Sequence, residues 1–138
     1  PEGNYDEENM KSTVVPFRNG IMLSIAIGLA ESKGLQQVMI ANHNGDHTIY
    51  PDCRPEFISA IDQAASAGTF AHVRVTAPYT EISKADIARI GKRLGLNYAE
   101  TWSCYKGGEK QCGKCGTCRE RKEALKEAGI DDPTEYEE

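Results

Sequence analysis

The chain has 138 residues, a net charge of −5 and 39% hydrophobic residues, enough for one domain of ordinary size with a hydrophobic core. The longest apolar run, IMLSIAIGLA at 21–30, is too short to span a bilayer, and we find no signal peptide. We therefore expect a soluble cytoplasmic protein with no membrane partner, in which clustered cysteines bind metal rather than form disulfides.

The first half of the chain predicts two helices around one strand. The apolar residues of 21–30 fit a helix that is buried on nearly all sides and ends near Lys33. The stretch QQVMIAN at 36–42 is typical of a short buried strand, and a loop that contains Pro51 follows it. The stretch RPEFISAIDQAASAG at 54–68 fits a second helix.

The second half predicts two strands, two helices and a polar tail. The stretch HVRVTAP at 72–78 alternates like a strand, and SKADIARIGKRLG begins with Ser83, a residue suited to cap a helix. We expect a third strand at LNYAETWS, residues 96–103, and a last helix over 117–128. The acidic stretch at 130–138 is predicted to be frayed.

Helices and strands alternate along the chain, which is typical of an α/β protein with a parallel sheet. We find no linker and no repeat, and we expect a single α/β domain over residues 1–138. In such sheets ligands bind beyond the carboxyl ends of the strands. The loops after residues 42, 76 and 102 are therefore the predicted locations of functional residues.

The chain begins PEGNYDEENM, a polar acidic run without an initiator methionine. We interpret this start as the interior of a loop in a longer protein.

Four of the five cysteines lie in one stretch, 104–118. Cys112, Cys115 and Cys118 form C-x2-C-x2-C, and Cys104 precedes them, a spacing that suits one tetrahedral Zn²⁺. Reduced core cysteines are an alternative, although this loop is rich in Lys and Gly. An iron–sulfur cluster is another, although the bacterial ferredoxin pattern continues with a further Cys-Pro that is absent here. With four protein ligands, a zinc ion would be structural.

The loop YPDCRPEF carries three candidate ligand-binding residues close together. Tyr50 could stack on a flat ring, Asp52 could accept hydrogen bonds from a guanine-like edge, and Arg54 could pair with a carboxylate or a phosphate. Asp52 has an alternative role, as the N-cap of the helix that begins near Arg54.

Further candidates lie at predicted helix starts. Arg18 and Asn19 precede the first helix, a natural place for an anion, or they are a solvated arginine and a turn asparagine. Lys84 begins the third helix and suits a phosphate, or it is a surface lysine. His43 and His47 are four residues apart, but the Asn-Gly pair between them disfavours a metal pair.

Three motifs together resemble the 7-cyano-7-deazaguanine synthases, the QueC family of the queuosine pathway. They are VVPFRN, YPDCRPEFI and TWSCYKG…CGKCGTCRERK, and the resemblance runs in order from about Met10 to about Arg121. The C-x2-C-x2-C piece alone would not be specific, but the combination is.

The resemblance implies a Rossmann-like fold of the PP-loop type, as in adenine nucleotide alpha hydrolases, and an ATP-dependent ligase. Such an enzyme converts 7-carboxy-7-deazaguanine and ammonia to the nitrile, with ATP and Mg²⁺ as cofactors and one structural zinc. The implied zinc ligands are Cys104, Cys112, Cys115 and Cys118, and the implied substrate-binding residues are Tyr50, Asp52, Arg54, Arg18 and Asn19. Lys84 is a further candidate for phosphate binding or catalysis.

The sequence departs from the family pattern in two places. The Ser-Gly-Gly-x-Asp-Ser phosphate loop of the family has no match here, so we expect this chain alone to be inactive. Phe17 and Gly20 stand where the family usually reads like PNRNM. The oligomeric state and the ammonia source cannot be predicted from the sequence, which leaves a homodimer open.

A second hypothesis is a zinc-knuckle module that contacts RNA or a partner protein. From Cys104 to Lys126 the chain has seven basic and three acidic residues. Four thiolates and one zinc ion reduce this surplus to about two positive charges, too few for binding driven by phosphates. We therefore favour the enzyme and do not expect direct nucleic-acid binding.

Overall fold

A computed structural model describes residues 2–4 and 7–137. It contains five α-helices and two β-strands within those residues. The helices are α1 Glu7–Met10, α2 Arg18–Ser32, α3 Pro55–Gly68, α4 Lys84–Arg93 and α5 Gly116–Ala128, and the strands are β1 Gln37–Met39 and β2 Arg74–Thr76.

The chain forms two compact units. One is Val15–Ile82, which we call the sheet unit, and the other comprises the residues up to Val14 and from Ser83 onward, which we call the cysteine unit. A single domain over residues 1–138 stays a prediction, since two compact units can belong to one domain.

The sheet unit is built on a parallel pair of strands with Val38 opposite Val75. Its core contains side chains of α2, α3 and both strands, with Val73 fully buried. Val38 and Ile40 pack against this core, so α2 and α3 cover the same face of the sheet. The mixed α/β class with a small parallel sheet is confirmed, but both strands are shorter than predicted.

The prediction that helix α2 is buried on nearly all sides is wrong. One face, Gly20, Leu23, Ile27 and Ala30, is buried. The opposite face exposes Met22, Ile25 and Leu29, whose exposed fractions are 61%, 68% and 57%. A helix that is apolar all round is expected to be buried all round, so this face lacks its cover within the described part of the chain.

By length and composition alone, the stretch Lys11–Ser32 could cross a membrane, a test that core helices of soluble proteins also pass. The core contacts of Leu23 and Ile27 favour the interpretation of α2 as a core helix.

Helix α4 of the cysteine unit begins as its sequence predicts. The Ser83 hydroxyl accepts the N–H of Asp86 at 3.1 Å, and the Asp86 carboxylate accepts the N–H of Ser83 at 3.2 Å. This reciprocal capping box satisfies two N–H groups at the helix start. Gly95, just past the helix end, has a φ of +78°, a conformation that glycine adopts without strain.

The prediction of a third strand at 96–103 is wrong. A 3₁₀ turn at Tyr98–Glu100 lies there instead. The Asn97 side chain accepts the N–H of Ala99 at 3.1 Å, and the Tyr98 hydroxyl donates to the Ala88 carbonyl in α4 at 2.7 Å. Because Asn side chains bond nearby backbone, they favour turns over strands.

The acidic tail, expected to be frayed at 130–138, has defined contacts through residue 137. The Glu137 N–H donates to the Gln111 carbonyl at 2.8 Å, beside a bridge between Gln111 and Tyr136. Lys122 lies over the Tyr136 ring at 3.9 Å from its centroid. The Tyr136 hydroxyl donates to Asp132 at 2.5 Å.

Candidate metal site and ligand-binding loops

The four clustered cysteines meet in the cysteine unit. The sulfurs of Cys104, Cys112, Cys115 and Cys118 all lie within 4.8 Å of one another, and all four residues are buried. In an ideal tetrahedron with bonds of about 2.3 Å, the sulfurs are roughly 3.8 Å apart, so this arrangement fits one ion. The predicted ligand set is therefore assembled and could hold a metal ion.

Backbone N–H groups point at the sulfurs. The N–H groups of Lys106 and Cys112 donate to the Cys104 sulfur at 3.4 and 3.3 Å. Those of Lys114 and Cys115 donate to the Cys112 sulfur at 3.4 and 3.3 Å. Such bonds favour thiolates, the form of cysteine that binds a metal.

Two thiols are more acidic than a free cysteine, and one is less so. Burial acts to raise the pKa of Cys104, but the backbone N–H donors outweigh it and the pKa is lowered. Burial is also outweighed at Cys115, by the Thr117 hydroxyl and backbone donors, and the pKa falls to about 6. Burial and the adjacent Cys115 sulfur raise the pKa of Cys118.

The buried Gln111 side chain forms hydrogen bonds to the segment that precedes Cys104. The Gln111 side chain accepts the N–H of Ser103 at 3.0 Å and donates to the Thr101 carbonyl at 3.1 Å. Gln111 is only 3% exposed, so these two bonds satisfy a buried amide. Gln111 thereby fixes the segment that leads into Cys104.

In the sheet unit, Asp52 and Asn19 meet across 33 residues of sequence. The Asn19 N–H, in the first turn of α2, donates to Asp52 Oδ2 at 2.8 Å. The Asn19 side chain donates to the Asp52 carbonyl and to the Cys53 sulfur, both at 3.2 Å. Asp52 therefore caps α2, with its charge at the positive end of the helix, and does not cap α3, the alternative role that the sequence suggests.

Asn42 and Thr80 lie beside the candidate loop and are not among the residues that the sequence predicts for the site. The Asn42 side-chain amide, 4% exposed, donates to the Cys53 carbonyl at 2.6 Å and to the Thr80 hydroxyl at 3.1 Å. Asn42 is the last residue of the predicted strand 36–42. Because ligands bind beyond the carboxyl ends of parallel strands, this position was a signal in the sequence. Asn42 joins the ends of both strands to the loop that carries Asp52.

The remaining predicted binding residues are Arg54, Tyr50 and Arg18. Arg54 precedes α3 and donates through Nε to the His47 carbonyl at 2.8 Å, and no bond of its terminal nitrogens is found within the described part of the chain. Tyr50 is half-buried, and Arg18 is exposed at the first position of α2.

Cys53 follows Asp52 in the same loop. Burial, together with the charges of Asp46 and Asp52, raises the pKa of this thiol to about 12. The Cys53 sulfur accepts a hydrogen bond from the Asn19 side-chain amide at 3.2 Å.

The first of the two loop histidines caps a turn. The His43 ring accepts the N–H of Gly45 at 3.1 Å, and Asp46 accepts the N–H of His43 at 3.3 Å, so His43 caps the turn Asn44–Asp46. Among the residues described, the four cysteines are the one group of three or more potential metal ligands.

Lys84 belongs to the cysteine unit. It is the first residue of α4, and its ammonium group lies 2.5 Å from the Glu120 carboxylate of α5. A phosphate would have to compete with Glu120 for this lysine.

Over residues 1–129 the sequence matches the family described as "Queuosine biosynthesis protein QueC". The chain belongs to the QueC family.

Relatives in this family are similar over nearly the whole chain. A 7-cyano-7-deazaguanine synthase of Porphyromonas gingivalis is 69% identical over 137 residues, 99% of this chain and 62% of the relative. The synthase of Rhizobium etli is 56% identical over 140 residues, 100% of this chain and 59% of the relative. The synthase of Desulfotalea psychrophila is 54% identical over 136 residues, 99% of this chain and 62% of the relative.

The chain thus spans about three fifths of the length of these curated relatives. The recognition of a QueC portion from its motifs is confirmed, and these comparisons do not support the alternative of a zinc-knuckle module that contacts RNA or a partner protein.

Proposed function

We propose that this chain is the portion of a 7-cyano-7-deazaguanine synthase that carries a zinc site and the substrate-binding loops. The whole enzyme, in the cytoplasm, would convert 7-carboxy-7-deazaguanine, ammonia and ATP to 7-cyano-7-deazaguanine. The observation that carries this proposal is the match to the QueC family over residues 1–129, with relatives named as this synthase.

The metal we propose is one structural Zn²⁺. Four thiolates in a site of tetrahedral size are the donor set that Zn²⁺ takes in structural sites. Because all four ligands come from the protein, no position is left for a substrate or a water. Cys104 lies outside α5 and Cys118 lies within it, so the ion ties the preceding loop to this helix.

The deazapurine is proposed to bind at the loop Tyr50–Arg54. One oxygen of Asp52 is held by the Asn19 N–H, and the other can accept N–H groups from a guanine-like edge. The terminal nitrogens of Arg54 suit the substrate carboxylate in a bidentate pair. Tyr50 supplies a ring for stacking, and Arg18 a positive charge at the start of α2.

These residues would bind and orient the substrate, whereas ATP with Mg²⁺ supplies the activation of its carboxylate. The proposed fold of the whole enzyme is the Rossmann-like PP-loop fold, of which β1 and β2 would be two strands. Lys84 is proposed as a phosphate contact that exchanges Glu120 for an oxygen of the nucleotide.

The test compares this chain with a chimera in which the part of the P. gingivalis relative that the chain leaves unmatched is joined to it in native order. Each protein is given 7-carboxy-7-deazaguanine, ammonia and ATP with Mg²⁺, and the nitrile is measured by mass spectrometry. We expect product from the chimera and none from the chain alone. A folded, zinc-loaded chimera that makes no nitrile would contradict the proposed function.

The matched variants of the chimera are Asp52→Asn and Asp52→Ala. Both remove the charge, but Asn keeps one acceptor oxygen, which can serve the Asn19 N–H or a substrate N–H, whereas Ala keeps none. We expect a higher KM for both, with the larger rise for Ala, because a site built to hydrogen-bond a substrate loses most when its polar group is deleted.

A further inference from the structure

The turn Cys112–Cys115, which supplies two of the four clustered sulfurs, is contacted by a segment that follows it at a distance in the sequence. Residues 130–137, which we call the tail segment, form a parallel bridge from Tyr136 to Gln111, the residue just before the turn. The Glu137 N–H donates to the Gln111 carbonyl at 2.8 Å. The backbone of the tail segment is therefore bonded to the residue that leads into the turn.

The Tyr136 ring lies on the turn itself. Tyr136 is a partly buried side chain that packs against the four cysteines. A Cβ at Gly113, inside the turn, would lie 3.2 Å from Tyr136 Cδ1, and Gly113 has a φ of +67°, so the ring approaches closely at a position that suits glycine. The Lys122 ammonium group lies 3.9 Å from the ring centroid and donates to the Gly113 carbonyl at 3.2 Å. The ring thus contacts both the turn and a side chain of α5.

The tail segment is anchored to α5 by a buried arginine. Arg121, which is 7% exposed, donates through Nε to the Asp132 carboxylate at 3.3 Å. The same carboxylate accepts the Thr134 N–H at 3.1 Å and the Tyr136 hydroxyl at 2.5 Å. Because a buried charge needs a partner, Asp132 satisfies a group that α5 buries, and it holds Tyr136 in place at the same time.

The tail segment has fewer stabilising contacts than the helices beside it. Its even-numbered residues are half-buried and its odd-numbered residues are exposed. Between residues 130 and 137 there is no helix and no strand longer than the bridge at Tyr136. Segments with few buried apolar contacts open at a lower free energy than the whole fold. The tail segment can therefore open while the rest of the cysteine unit stays folded.

We propose that the tail segment controls the rate at which the cysteine cluster exchanges its metal. In the closed form, Cys112 and Cys115 are 2% and 1% exposed, and the Tyr136 ring keeps competing ligands from their sulfurs. In the open form, the turn is uncovered and a chelator can reach these sulfurs. The proposal rests on the proposed function for the presence of zinc. It goes beyond that function because it assigns metal retention to residues that follow the stretch 1–129 matched to the family.

The test measures the transfer of zinc from the zinc-bound chain to excess 4-(2-pyridylazo)resorcinol at neutral pH, followed by the absorbance of the zinc–dye complex. Bonds from zinc to sulfur are replaced by bonds to the dye, and the freed thiolates take up protons. Because the closed form excludes the dye, we expect the rate to become independent of dye concentration once transfer outpaces reclosing. This limiting rate should change little with urea, since opening of the tail segment exposes little surface.

A matched pair of variants separates the ring from its hydroxyl. Tyr136→Ala removes the contacts with Lys122 and the turn, whereas Tyr136→Phe keeps the ring and loses only the bond to Asp132. At low dye concentration we expect Tyr136→Ala to transfer zinc about 10-fold faster or more, and Tyr136→Phe to show a clearly smaller increase. Tyr79→Ala, which removes a half-buried tyrosine from the sheet unit, is the control and should leave the rate unchanged.

Several results would overturn the proposal. A limiting rate that rises steeply with urea would mean that the metal leaves only when the whole cysteine unit unfolds. Equal rates in the unsubstituted chain and in a folded Tyr136→Ala variant would mean that the dye reaches the sulfurs without the segment opening. If Tyr136→Ala does not fold, the urea dependence of the unsubstituted chain gives the answer by itself.

The same samples distinguish this proposal from the proposed function. Elemental analysis before the transfer reports whether each protein holds one zinc per chain, and a chain without metal would overturn the proposed zinc site and this proposal together. Nitrile synthesis is not the readout. A zinc-bound chain that shows the expected transfer kinetics, beside a chimera that makes no nitrile, would contradict only the proposed function.

Discussion

The cysteine cluster and the β1–β2 sheet each have a small core, and they differ in the contacts that hold them. In the cluster, four buried sulfurs can share one ion, and the segments around them bond to one another through Gln111 and the tail. In the sheet, the Asp62 carboxylate accepts the N–H of Val75 on β2, and one helix face is bare. In the described residues, the cysteine region is therefore held by contacts of its own, whereas the sheet unit leaves one face of α2 without cover.

The largest effect is expected from loss of the metal. We expect one zinc per chain by elemental analysis, and Cys115→Ser or strong chelation should unfold the cysteine unit. Structural zinc contributes about 10–16 kcal/mol in small metal-dependent peptides, more than short polar loops gain by burial. Unfolding is measured by circular dichroism and by the amide signals of α5.

The control for this experiment is Cys53→Ser, since Cys53 is the one cysteine outside the cluster. This variant should retain zinc. Iron with sulfide, or no metal in protein purified without chelators, would contradict the assignment.

The next effect concerns the packing of α2 in the sheet unit. A Cβ on Gly20 would lie 2.3 Å from Phe17 Cε1, whereas a Cβ on Gly28 has no atom within 4 Å. We expect Gly20→Ala to destabilise the chain by about 1–3 kcal/mol through crowding, and Gly28→Ala to stabilise it by up to about 1 kcal/mol. Thermal unfolding of the two variants, which differ only in position, measures both. Equal effects would show that the Phe17 ring yields freely.

A smaller effect is expected from the cap of α2. Asp52→Ala should lower the free energy of unfolding by about 1–2 kcal/mol, because the Asn19 N–H loses its acceptor and the helix start loses a negative charge. Asp52→Asn should cost less, since an acceptor remains. Urea denaturation of the chain alone measures both, without substrate. A neutral Asp52→Ala would mean that this carboxylate is retained for ligand binding only.

The smallest effect is a pH dependence in the cysteine unit. Burial acts to raise the pKa of Asp132, but bonds from Tyr136 and Thr134 and the charge of Arg121 outweigh it, so the pKa is lowered. A lowered pKa in the folded state stabilises the fold above the ordinary carboxyl range. This stabilisation is lost as pH falls through the folded pKa, below about 4.

The check is urea denaturation of the zinc-bound chain and of Asp132→Asn from pH 7 down to the lowest pH at which elemental analysis still finds the zinc bound. The two unfolding free energies should approach each other as pH falls. Parallel curves would show that the Asp132 charge has no part in holding the tail.

Structural features that are set by residues close together in the sequence were predicted correctly. The cysteine spacing gave the ligand set, and Ser83 with Asp86 gave the start of α4. The predicted third strand is wrong because the Asn97 side chain accepts the N–H of Ala99 and so favours a turn, which the apolar residues of this stretch do not reveal.

Contacts between distant residues could not be predicted in the same way. Asp52 reads as a cap for the helix that follows it, but it caps a helix that begins 34 residues earlier, at Arg18. Similarly, the alternation of apolar residues does not show that Asp62 accepts the N–H of Val75 or that Asn42 joins the two strand ends.

The contact between Phe17 and Gly20 makes these two positions depend on each other. Phe17 has a φ of +55°, a left-handed conformation that Asn tolerates better than Phe, and its ring occupies the space of a side chain at position 20. A residue larger than glycine at position 20 therefore requires the Phe17 ring to move, so a change at either position alters which side chains the other accepts.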